Sequence, residues 1–373
     1  NNIYSRSPVN ALQVRDDRLL VGFSDSTVRL FDRASGIRMW TLEGHGGPVN
    51  CLHSSKTRMV TGSDDKMIKG WDMREGRCLL TLEGHIAPVL CVRLSDRHIL
   101  SGGRDHTIKV WDKSTGYCLR TLRGHTGRIV DLQLGAGSGS QFYTSSTDGT
   151  IKLWDVRSEN RIRSYKGHKK AIVSFHHEEA TLISAADDGT IKSWDCATGK
   201  CSLTLRVGSE REIPQSIRIR NDLLFCGEAS GTIRIREAST GTPVRLLEGH
   251  ASRVAALQVE DFEIWSGSSD STVRRWSTED EVRILLERMK TEEFEVVDNS
   301  VLSSNTFTGD LTSPGPASPS GGAPSGGAPS SAATSSVAPS AVDAGSSSCR
   351  DSGSLAAVTV PSSSMTPLAS GLS

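Results

Sequence analysis

Four residue types that could build a hydrolytic relay recur together along the chain: a histidine, a serine or threonine, an aspartate and a tryptophan. A histidine placed between a hydroxyl and a carboxylate can activate the hydroxyl as a nucleophile. One active site needs one such set, so five copies indicate a repeated structural element instead. The sets are His45, Thr61, Asp65, Trp71; His85, Ser101, Asp105, Trp111; His125, Thr144, Asp148, Trp154; His168, Ser184, Asp188, Trp194; and His250, Ser266, Asp270, Trp276.

The sets belong to a longer internal repeat. An aromatic residue followed by an acid marks most units, and the marker positions are separated by 40, 40, 43, 40, 42 and 40 residues. Repeats of this length are typical of modular folds in which each unit is one small sheet or helix pair. We count seven units over residues 1–289. The marker pairs are Phe31-Asp32, Trp71-Asp72, Trp111-Asp112, Trp154-Asp155, Trp194-Asp195, Arg236-Glu237 and Trp276-Ser277.

Each unit is predicted to hold four short strands. In the second unit these are Val49–Ser54, Arg58–Ser63, Met67–Asp72 and Arg77–Leu82. The third strand always carries a β-branched residue followed by a base, as in Ile68-Lys69. This alternation predicts a strand with one packed face, along whose other face the basic stem lies.

Glycines at fixed offsets predict the turns of each unit. Asp148-Gly149-Thr150 and Asp188-Gly189-Thr190 are tight-turn signals before the third strand. Five glycines follow the aromatic marker by five residues, where a left-handed backbone is expected to open the next hairpin. They are Gly36, Gly76, Gly116, Gly199 and Gly241.

With Gly-His pairs at residues 44–45, 84–85, 124–125, 167–168 and 249–250, the repeat resembles the WD-repeat β-propeller family. The resemblance implies an all-β fold: a seven-bladed propeller of four-stranded antiparallel blades. Such rings usually close by sharing one blade between the two chain ends. Either Val282–Glu287 or residues 1–4 could supply the outer strand of the last blade.

In that family the recurring quartet is a structural hydrogen-bond network, and the resemblance implies the same role here. The first unit has Ser5 and Phe31 where histidine and tryptophan are expected. The sixth unit lacks the whole quartet, and two interpretations remain open: a tolerated weak blade, or an exposed Arg236-Glu237 edge that serves a partner. Its replacements are Ser209, Cys226, Ser230 and Arg236.

The resemblance also implies a docking surface on the narrower face, around the central channel. The first ring of candidate residues follows the second strand of each unit and comprises Ser24, Asp64, Arg104, Thr147, Asp187, Ala229 and Ser269. A second ring precedes the first strand and comprises Pro48, Pro88, Arg128, Ala171 and Arg253. These charges either bind a peptide or only keep the face soluble.

Within the family, the short loops most resemble the propellers of F-box/WD substrate receptors, which hold phosphorylated degrons with arginines. Arg104 matches one such position, but Asn50, Leu90 and Val130 stand at the companion position, so a phosphate pocket of that type is not supported. Trp71–Arg74 and Trp154–Arg157 resemble the WDxR boxes that dock the adaptor of cullin-RING ligases. Arg74 and Arg157 are therefore further partner-binding candidates.

Composition excludes several function classes. Lys plus Arg and Asp plus Glu both number 43, so no net charge favours nucleic acid or membrane surfaces. No apolar run is long enough to span a bilayer, and no nucleotide-binding glycine motif is present. We predict no cofactor and no metal site, and we place His176, His177, Glu178 and Glu179 in a solvated turn.

The cysteines indicate the compartment. Cys51 and Cys91, and likewise Cys78 and Cys118, keep the repeat spacing, which predicts small apolar core residues. An intracellular protein, cytoplasmic or nuclear, follows as the expectation. The first residue is Asn1, which indicates a fragment or a processed form.

The C-terminal part differs in composition from the repeats. Residues 290–311 are predicted to form a charged linker. Residues 312–373 contain 19 serines, three charged residues and no aromatic side chain, so they are predicted to be disordered.

The sequence thus predicts a non-enzymatic scaffold or adaptor that binds other proteins, with service as the substrate-recognition subunit of a ubiquitin ligase as a narrower hypothesis. Two alternatives stay open: a receptor that binds the cullin-RING adaptor through its WDxR boxes, and a general signalling scaffold. An enzyme that uses the central channel is the less favoured rival.

Overall fold

The computed structural model describes residues 2–135, 140–158, 160–178, 180–207, 212–260 and 263–277. They belong to the first of two compact units of the chain, Asn1–Ser304. The second unit, Asn305–Ser373, lies outside the described residues, and so do the predicted linker at 290–311, the predicted tail at 312–373 and the segment Val282–Glu287.

The described residues form short strands that follow one another with tight connections. In chain order these are β1 (Asn2–Tyr4), β2 (Val9–Arg15), β3 (Arg18–Phe23), β4 (Val28–Asp32), β5 (Arg38–Leu42), β6 (Val49–Ser54), β7 (Arg58–Ser63), β8 (Ile68–Asp72), β9 (Cys78–Leu82), β10 (Val89–Leu94), β11 (His98–Gly103), β12 (Ile108–Asp112), β13 (Cys118–Leu122), β14 (Ile129–Leu134), β15 (Gln141–Ser146), β16 (Thr150–Asp155), β17 (Arg161–Lys166), β18 (Ile172–Glu178), β19 (Thr181–Ala186), β20 (Thr190–Asp195), β21 (Cys201–Arg206), β22 (Pro214–Arg220), β23 (Leu223–Glu228), β24 (Ile233–Glu237), β25 (Pro243–Leu247), β26 (Val254–Glu260), β27 (Glu263–Ser268) and β28 (Thr272–Ser277). In the second 40-residue repeat, the third and fourth strands were predicted to begin at Met67 and Arg77, one residue before their observed starts.

These strands pair into seven four-stranded antiparallel sheets, which confirms the predicted propeller of seven blades. Blades 1 to 6 are formed by β2–β5, β6–β9, β10–β13, β14–β17, β18–β21 and β22–β25. Blade 7 combines β26, β27 and β28 with β1 from the other end of the chain. Ile3 pairs with Val273 and Tyr4 with Thr272, so of the two predicted closures the structure has the N-terminal one.

The core lies between neighbouring blades. The β-branched residue that precedes the base in each third strand is buried, as at Val28, Ile68 and Ile108. It packs with apolar residues from the facing sheet; one such cluster joins Leu100 of blade 3 to Phe142 and Trp154 of blade 4. Because each sheet buries both faces against its neighbours, the second strand is buried almost throughout.

The predicted turn glycines adopt the expected backbone. Gly149 and Gly189 have φ values of 77° and 73° at the corner before the third strand, a left-handed conformation that glycine adopts without strain. The five glycines before the fourth strand have φ values of 72°, 69°, 78°, 76° and 78°.

The cysteine prediction is only half right. Cys51 and Cys91 are buried on the innermost strands, whereas Cys78 and Cys118 are exposed. The exposed pair opens the outermost strands β9 and β13, whose first residues face solvent. The repeat spacing gave the register of these residues but not their distance from the centre of the ring.

Candidate functional site

The structure brings each of the five quartets together. The histidine lies in the link before the first strand, the hydroxyl on the second strand, the aspartate in the following turn and the tryptophan on the third strand. In blade 2, His45 Nδ1 lies 2.7 Å from Asp65 Oδ2, His45 Nε2 lies 2.7 Å from Thr61 Oγ1, and Trp71 Nε1 donates to Thr61 Oγ1 at 2.9 Å. The same three bonds occur in blades 3, 4, 5 and 7.

The protonation states in these quartets follow from burial and hydrogen bonding. Burial lowers the pKa of His125 and His250, although the partner aspartate opposes the shift. Burial would raise the pKa of Asp270, but hydrogen bonds from Thr272, Ala251 N and His250 lower it to about 2. A neutral histidine therefore donates from Nδ1 to an ionised carboxylate and accepts the hydroxyl proton at Nε2.

This arrangement has the connectivity of a hydrolytic relay, but substrate cannot reach it. The hydroxyl residues Thr61, Ser101 and Thr144 are each 0% exposed, and each also accepts a hydrogen bond from a buried tryptophan. A nucleophile must touch the atom that it attacks. The quartet instead satisfies buried polar groups and ties together two strands, a turn and a link.

Blade 1 replaces the quartet with an arginine-centred arrangement. Val21 stands where the hydroxyl is expected, and Phe31 replaces the tryptophan. Arg29 pairs with Asp25 and donates from Nη1 to Ser5 Oγ at 2.9 Å, while its guanidinium lies 4.4 Å from the Phe23 ring centroid. The histidine network is therefore absent here, as the sequence predicts, and a cation holds the same turn.

Blade 6 is held by a buried glutamate that the sequence analysis did not identify. Glu228 closes strand β23 and is 1% exposed. Its carboxylate accepts from Arg234 Nε at 2.8 Å and from Thr232 Oγ1 at 2.6 Å, and Arg234 also pairs with Glu212 at 3.2 Å. Hydrogen bonding to Glu228 raises the pKa of Arg234. One sequence signal could have identified Glu228: it is an acid at a position where other units carry residues such as Ser63 or Ala186.

The predicted partner edge of blade 6 is less open than expected. Arg236 and Glu237 are both half-buried. Arg236 Nη1 donates to the carbonyl oxygen of Gly241 at 3.3 Å, and Glu237 accepts from Thr240 Oγ1. Both side chains thus make hydrogen bonds within the turn between β24 and β25. Cys226 is buried, which raises the pKa of its thiol to about 12, and Ser209 lies outside the described residues.

The two predicted rings lie side by side on one face, which we call the ring face. Turns between second and third strands meet there with the links before first strands. A backbone hydrogen bond joins a member of each ring in blades 2, 3, 4, 5 and 7: Asp64 N to Pro48 O, Arg104 N to Pro88 O, Thr147 N to Arg128 O, Asp187 N to Ala171 O and Ser269 N to Arg253 O, at 2.8–3.0 Å. Ser24 N donates likewise to Pro8 O.

The ring face carries free charge. The side chains of Arg104, Arg128, Arg253 and Asp187 are exposed. In the part of the chain that the structure describes, none of these side chains makes a hydrogen bond or ion pair. Asp64 accepts from Asn50 Nδ2 at 2.8 Å, and Ser24, Thr147 and Ser269 are half-buried. Three arginines thus present unpaired guanidinium groups on the ring face, and Arg253 also lines the central channel.

Arg74 and Arg157 lie on the opposite face, formed by the turns between first and second strands and between third and fourth strands. In each WDxR segment the arginine N–H donates to the preceding aspartate, from Arg74 to Asp72 Oδ1 and from Arg157 to Asp155 Oδ1, both at 2.6 Å. Both arginine side chains are exposed. The structure therefore separates these candidates from the ring residues.

A polar belt lines the central channel, and sequence reasoning missed it. The channel has a volume of about 690 Å³ and is lined by the first strands of the blades. The fifth residue of each first strand forms the channel belt, which comprises Gln13, His53, Arg93, Gln133, His176, Arg218 and Gln258. Five members accept a backbone N–H from the next blade, at Ser54, Leu94, His177, Ile219 and Val14, over 2.6–3.2 Å. Recurrence of polar residues at this register was the available signal.

The belt corrects the prediction for the histidine pair. His176 and His177 lie within strand β18, not in a solvated turn; Glu178 ends that strand, and Glu179 lies outside the described residues. Burial, together with nearby arginines, lowers the pKa of His53 and of His176 to about 3. Arg93 pairs with Asp131 at 3.2 Å in the same channel.

Neither a membrane anchor nor a metal centre is found in the described ranges. Within them, no helix has the length and apolar character needed to span a bilayer. No group of three His, Cys, Asp or Glu side chains in the same ranges is placed to bind a metal ion.

Comparison with protein families gives one match along the repeats. The model described as "WD domain, G-beta repeat" matches residues 36–72, 76–112, 116–155, 159–195 and 241–277, which together make up half of the chain. A solved structure of the computationally designed Ika8 protein is similar, with a TM-score of 0.60 and 27% identity over 74% of this chain and 97% of that one.

Curated relatives match over shorter stretches. Zinc finger CCCH domain-containing protein 62 of Arabidopsis thaliana is 27% identical over 138 residues, 26% of this chain and 33% of that protein. Mitochondrial division protein 1 of Pyricularia oryzae is 29% identical over 112 residues, 23% of this chain and 17% of that protein. CCR4-associated factor 4 of Saccharomyces cerevisiae is 28% identical over 112 residues, 24% and 17% of the two chains. The chain thus spans a third or less of these relatives.

Proposed function

Since the chain belongs to the WD40 repeat family, we propose that it is a non-enzymatic scaffold that binds peptide or domain partners on its ring face. The observation that carries this proposal is the set of exposed, unpaired guanidinium groups at Arg104, Arg128 and Arg253, within the described residues. A rigid ring holds the backbone of these arginines in place, so only their side chains must be ordered on binding. The buried quartet hydroxyls support a scaffold over an enzyme.

The partner surface is expected to be mixed in charge. The ring-face arginines attract acidic side chains, while Asp64 and Asp187 attract basic ones. Exposed charges of this kind set the orientation and the association rate of a partner more than its final affinity. A partner that binds the ring face should therefore carry acidic and basic side chains in a fixed geometry.

The test is proximity labelling with Arg104→Glu beside wild type. Arg97→Glu is the matched control, because it makes the same charge change at an exposed position of the same blade on the opposite face. We expect a set of labelled partners to be lost with Arg104→Glu and kept with Arg97→Glu. An unchanged set with Arg104→Glu would remove the ring face as the docking surface.

The second candidate is service in a ubiquitin ligase, with the adaptor docked through the WDxR segments. The favouring observation is the separation of Arg74 and Arg157 from the ring face, which leaves that face accessible to a substrate while the opposite face holds an adaptor. Both arginines stand on short turns that an aspartate carboxylate holds.

Adaptor co-purification tests this candidate. Arg74→Ala combined with Arg157→Ala is expected to reduce recovery of the cullin-RING adaptor at least tenfold, whereas Arg97→Ala, an exposed neighbour on the same face, leaves it unchanged. Equal recovery with the double variant and with the control would exclude WDxR docking and leave the ring-face proposal intact.

A further inference from the structure

An arginine staple joins blades 1 to 5 on the opposite face. At four successive interfaces an arginine Nη1 donates to a main-chain carbonyl of the next blade, always that of the residue directly after the aromatic-acid pair. The bonds run from Arg18 to Met73 O at 2.6 Å, from Arg58 to Lys113 O at 2.8 Å, from Arg120 to Val156 O at 3.2 Å and from Arg163 to Cys196 O. Each staple satisfies a carbonyl that the sheets leave unpaired.

The staple comes from either of two positions in the donating blade. Blades 1 and 2 use the first residue of the second strand, and blades 3 and 4 use a residue of the fourth strand. The unused positions are filled by Trp40 and Leu80 in the first case and by His98 and Gln141 in the second. Each of these four blades thus supplies one guanidinium to the same place.

Blade 5 supplies no guanidinium, because Thr181 and Leu203 stand at the two positions. The acceptor that corresponds in blade 6 is the carbonyl of Ala238, a residue that is 6% exposed. Within the described residues no side chain donates to that carbonyl. A cavity of about 620 Å³ opens beside Ala238 instead, bounded on the blade 5 side by the small Ser193.

The cavity walls suit an arginine side chain. Ile183, Leu203 and Ile219 form apolar walls, against which a three-carbon stem can pack. The carboxyl groups of Glu178 and Asp222 also line the cavity, and Asp222 Oδ2 accepts from Ser239 Oγ at 2.8 Å. A planar, weakly hydrated guanidinium offers five donors to this carbonyl and these carboxylates, whereas an ammonium is more strongly hydrated and matches the site less well.

We propose that the cavity between blades 5 and 6 binds an arginine side chain of a partner protein, which supplies in trans the staple that blades 1 to 4 supply themselves. The charge complementarity of Glu178 and Asp222 selects a basic occupant, and the apolar walls select arginine over lysine. The site lies on the opposite face from the ring residues, so it does not depend on the ring-face proposal.

The direct test is binding of a capped arginine, Nα-acetyl-arginine N-methylamide, to the full chain, followed by NMR titration. We expect one saturable site per chain, with shifts that map to Ala238 and Ser239. Capped lysine is expected to bind several-fold more weakly, and capped citrulline, which keeps the shape without the charge, at least tenfold more weakly. Equal binding of arginine and citrulline would overturn the proposal.

Two variants change the staple directly: one adds an arginine and the other removes one. Leu203→Arg places a guanidinium at the position that Arg163 and Arg120 occupy, so it should raise the melting temperature and weaken capped-arginine binding at least tenfold. Arg163→Leu is the matched comparison: it removes a staple where Tyr165 Oη still donates to Cys196 O at 3.0 Å and where Gly135 and Ala180 stand in place of Glu178 and Asp222, so the stoichiometry should stay at one. Undiminished binding to Leu203→Arg would contradict the assignment.

Asp222→Asn tests the site without filling it. We expect at least a fivefold loss of capped-arginine affinity and no change in melting temperature beyond that of a surface substitution. Full affinity in this variant would contradict the role of the carboxylate. Binding that appears only after Arg283 and Arg288, which lie outside the described residues, are replaced would mean that the chain's own arginine is the occupant and would overturn a partner-derived staple.

Discussion

Blades 4 and 6 have the same four-stranded arrangement, but different residues satisfy the buried polar atoms of each blade. Blade 4 joins its link, second strand, turn and third strand through His125, Thr144, Asp148 and Trp154. Blade 6 uses Glu228 with Arg234 and Thr232. The difference teaches that the fold requires these buried polar atoms to be satisfied, whichever residues satisfy them.

The largest effect is expected at the tryptophan. Trp154→Ala removes a large buried ring and a hydrogen-bond donor to Thr144, so it should lower the free energy of unfolding by about 4 kcal/mol. The same change at the equivalent Arg236 should cost about 1 kcal/mol, because that side chain is half-buried. Urea unfolding followed by circular dichroism measures both. Equal losses would mean that blade 4 does not depend on its quartet.

The next largest effect is expected at Glu228. Glu228→Ala leaves Arg234 and Thr232 without their buried acceptor, so it should cost about 3 kcal/mol. The matched control is Ser268→Ala at the equivalent position of blade 7, whose hydroxyl donates to Ser252 O and accepts from Asp270 N; its loss should cost about 1 kcal/mol. If the two variants unfold at the same urea concentration, Glu228 does not hold blade 6.

The central hydroxyl of a quartet sharpens the comparison further. Ser101→Ala leaves His85 Nε2 and Trp111 Nε1 without a buried partner, which should cost about 2 kcal/mol. At the equivalent position of blade 6, Cys226→Ala removes only a small buried thiol and should cost about 1 kcal/mol. A loss at Ser101 no larger than that at Cys226 would argue against the network as a stabilising element.

The smallest effect is expected on the pH dependence of stability, through His53. His53 has a folded pKa of about 3, below its unfolded value, so its stabilising contribution is present at neutral pH and decreases as the pH falls below about 6.5. Between pH 7 and 5.5 the loss should be about 1 kcal/mol. His53→Gln should keep neutral-pH stability, because glutamine does the same work at Gln13, and should remove that share of the pH dependence.

Unfolding curves of both proteins at the two pH values check this prediction. His45 and His125 also have lowered pKa values, so some acid sensitivity will remain in the variant. The expected result is a smaller difference between the two pH values for His53→Gln than for wild type. Identical differences would mean that His53 is not buried as a neutral acceptor.

Repetition made most of the fold predictable. Seven in-phase copies of the strand and turn signals reinforce one another, so the blade number and the quartet members follow from the sequence. Features that occur once are different. Glu228 breaks the repeat and gave no motif, and His176 belongs to a belt whose members differ in residue type. Periodicity identifies residues of the same kind at the same register, and it misses a role that several residue types can fill.

The positions of the ring-face candidates were predictable, but whether their side chains are paired was not. The sequence placed Arg104, Arg128 and Arg253 on one face, yet whether each guanidinium is paired depends on neighbours from other blades. The same holds for the staple between blades. Arg58 and Arg120 come from different strands, and only the packed interface brings them to equivalent carbonyls.

The sequence by itself determined the blade, because strand alternation, turn glycines and quartet spacing are local properties that each 40-residue unit carries. The tertiary structure decided what happens between blades: that β1 joins β28 and closes the ring, that the belt bridges first strands, and that the interface between blades 5 and 6 carries a cavity instead of an arginine. These contacts join residues from different units, and their distances depend on how rigid sheets pack around a common axis.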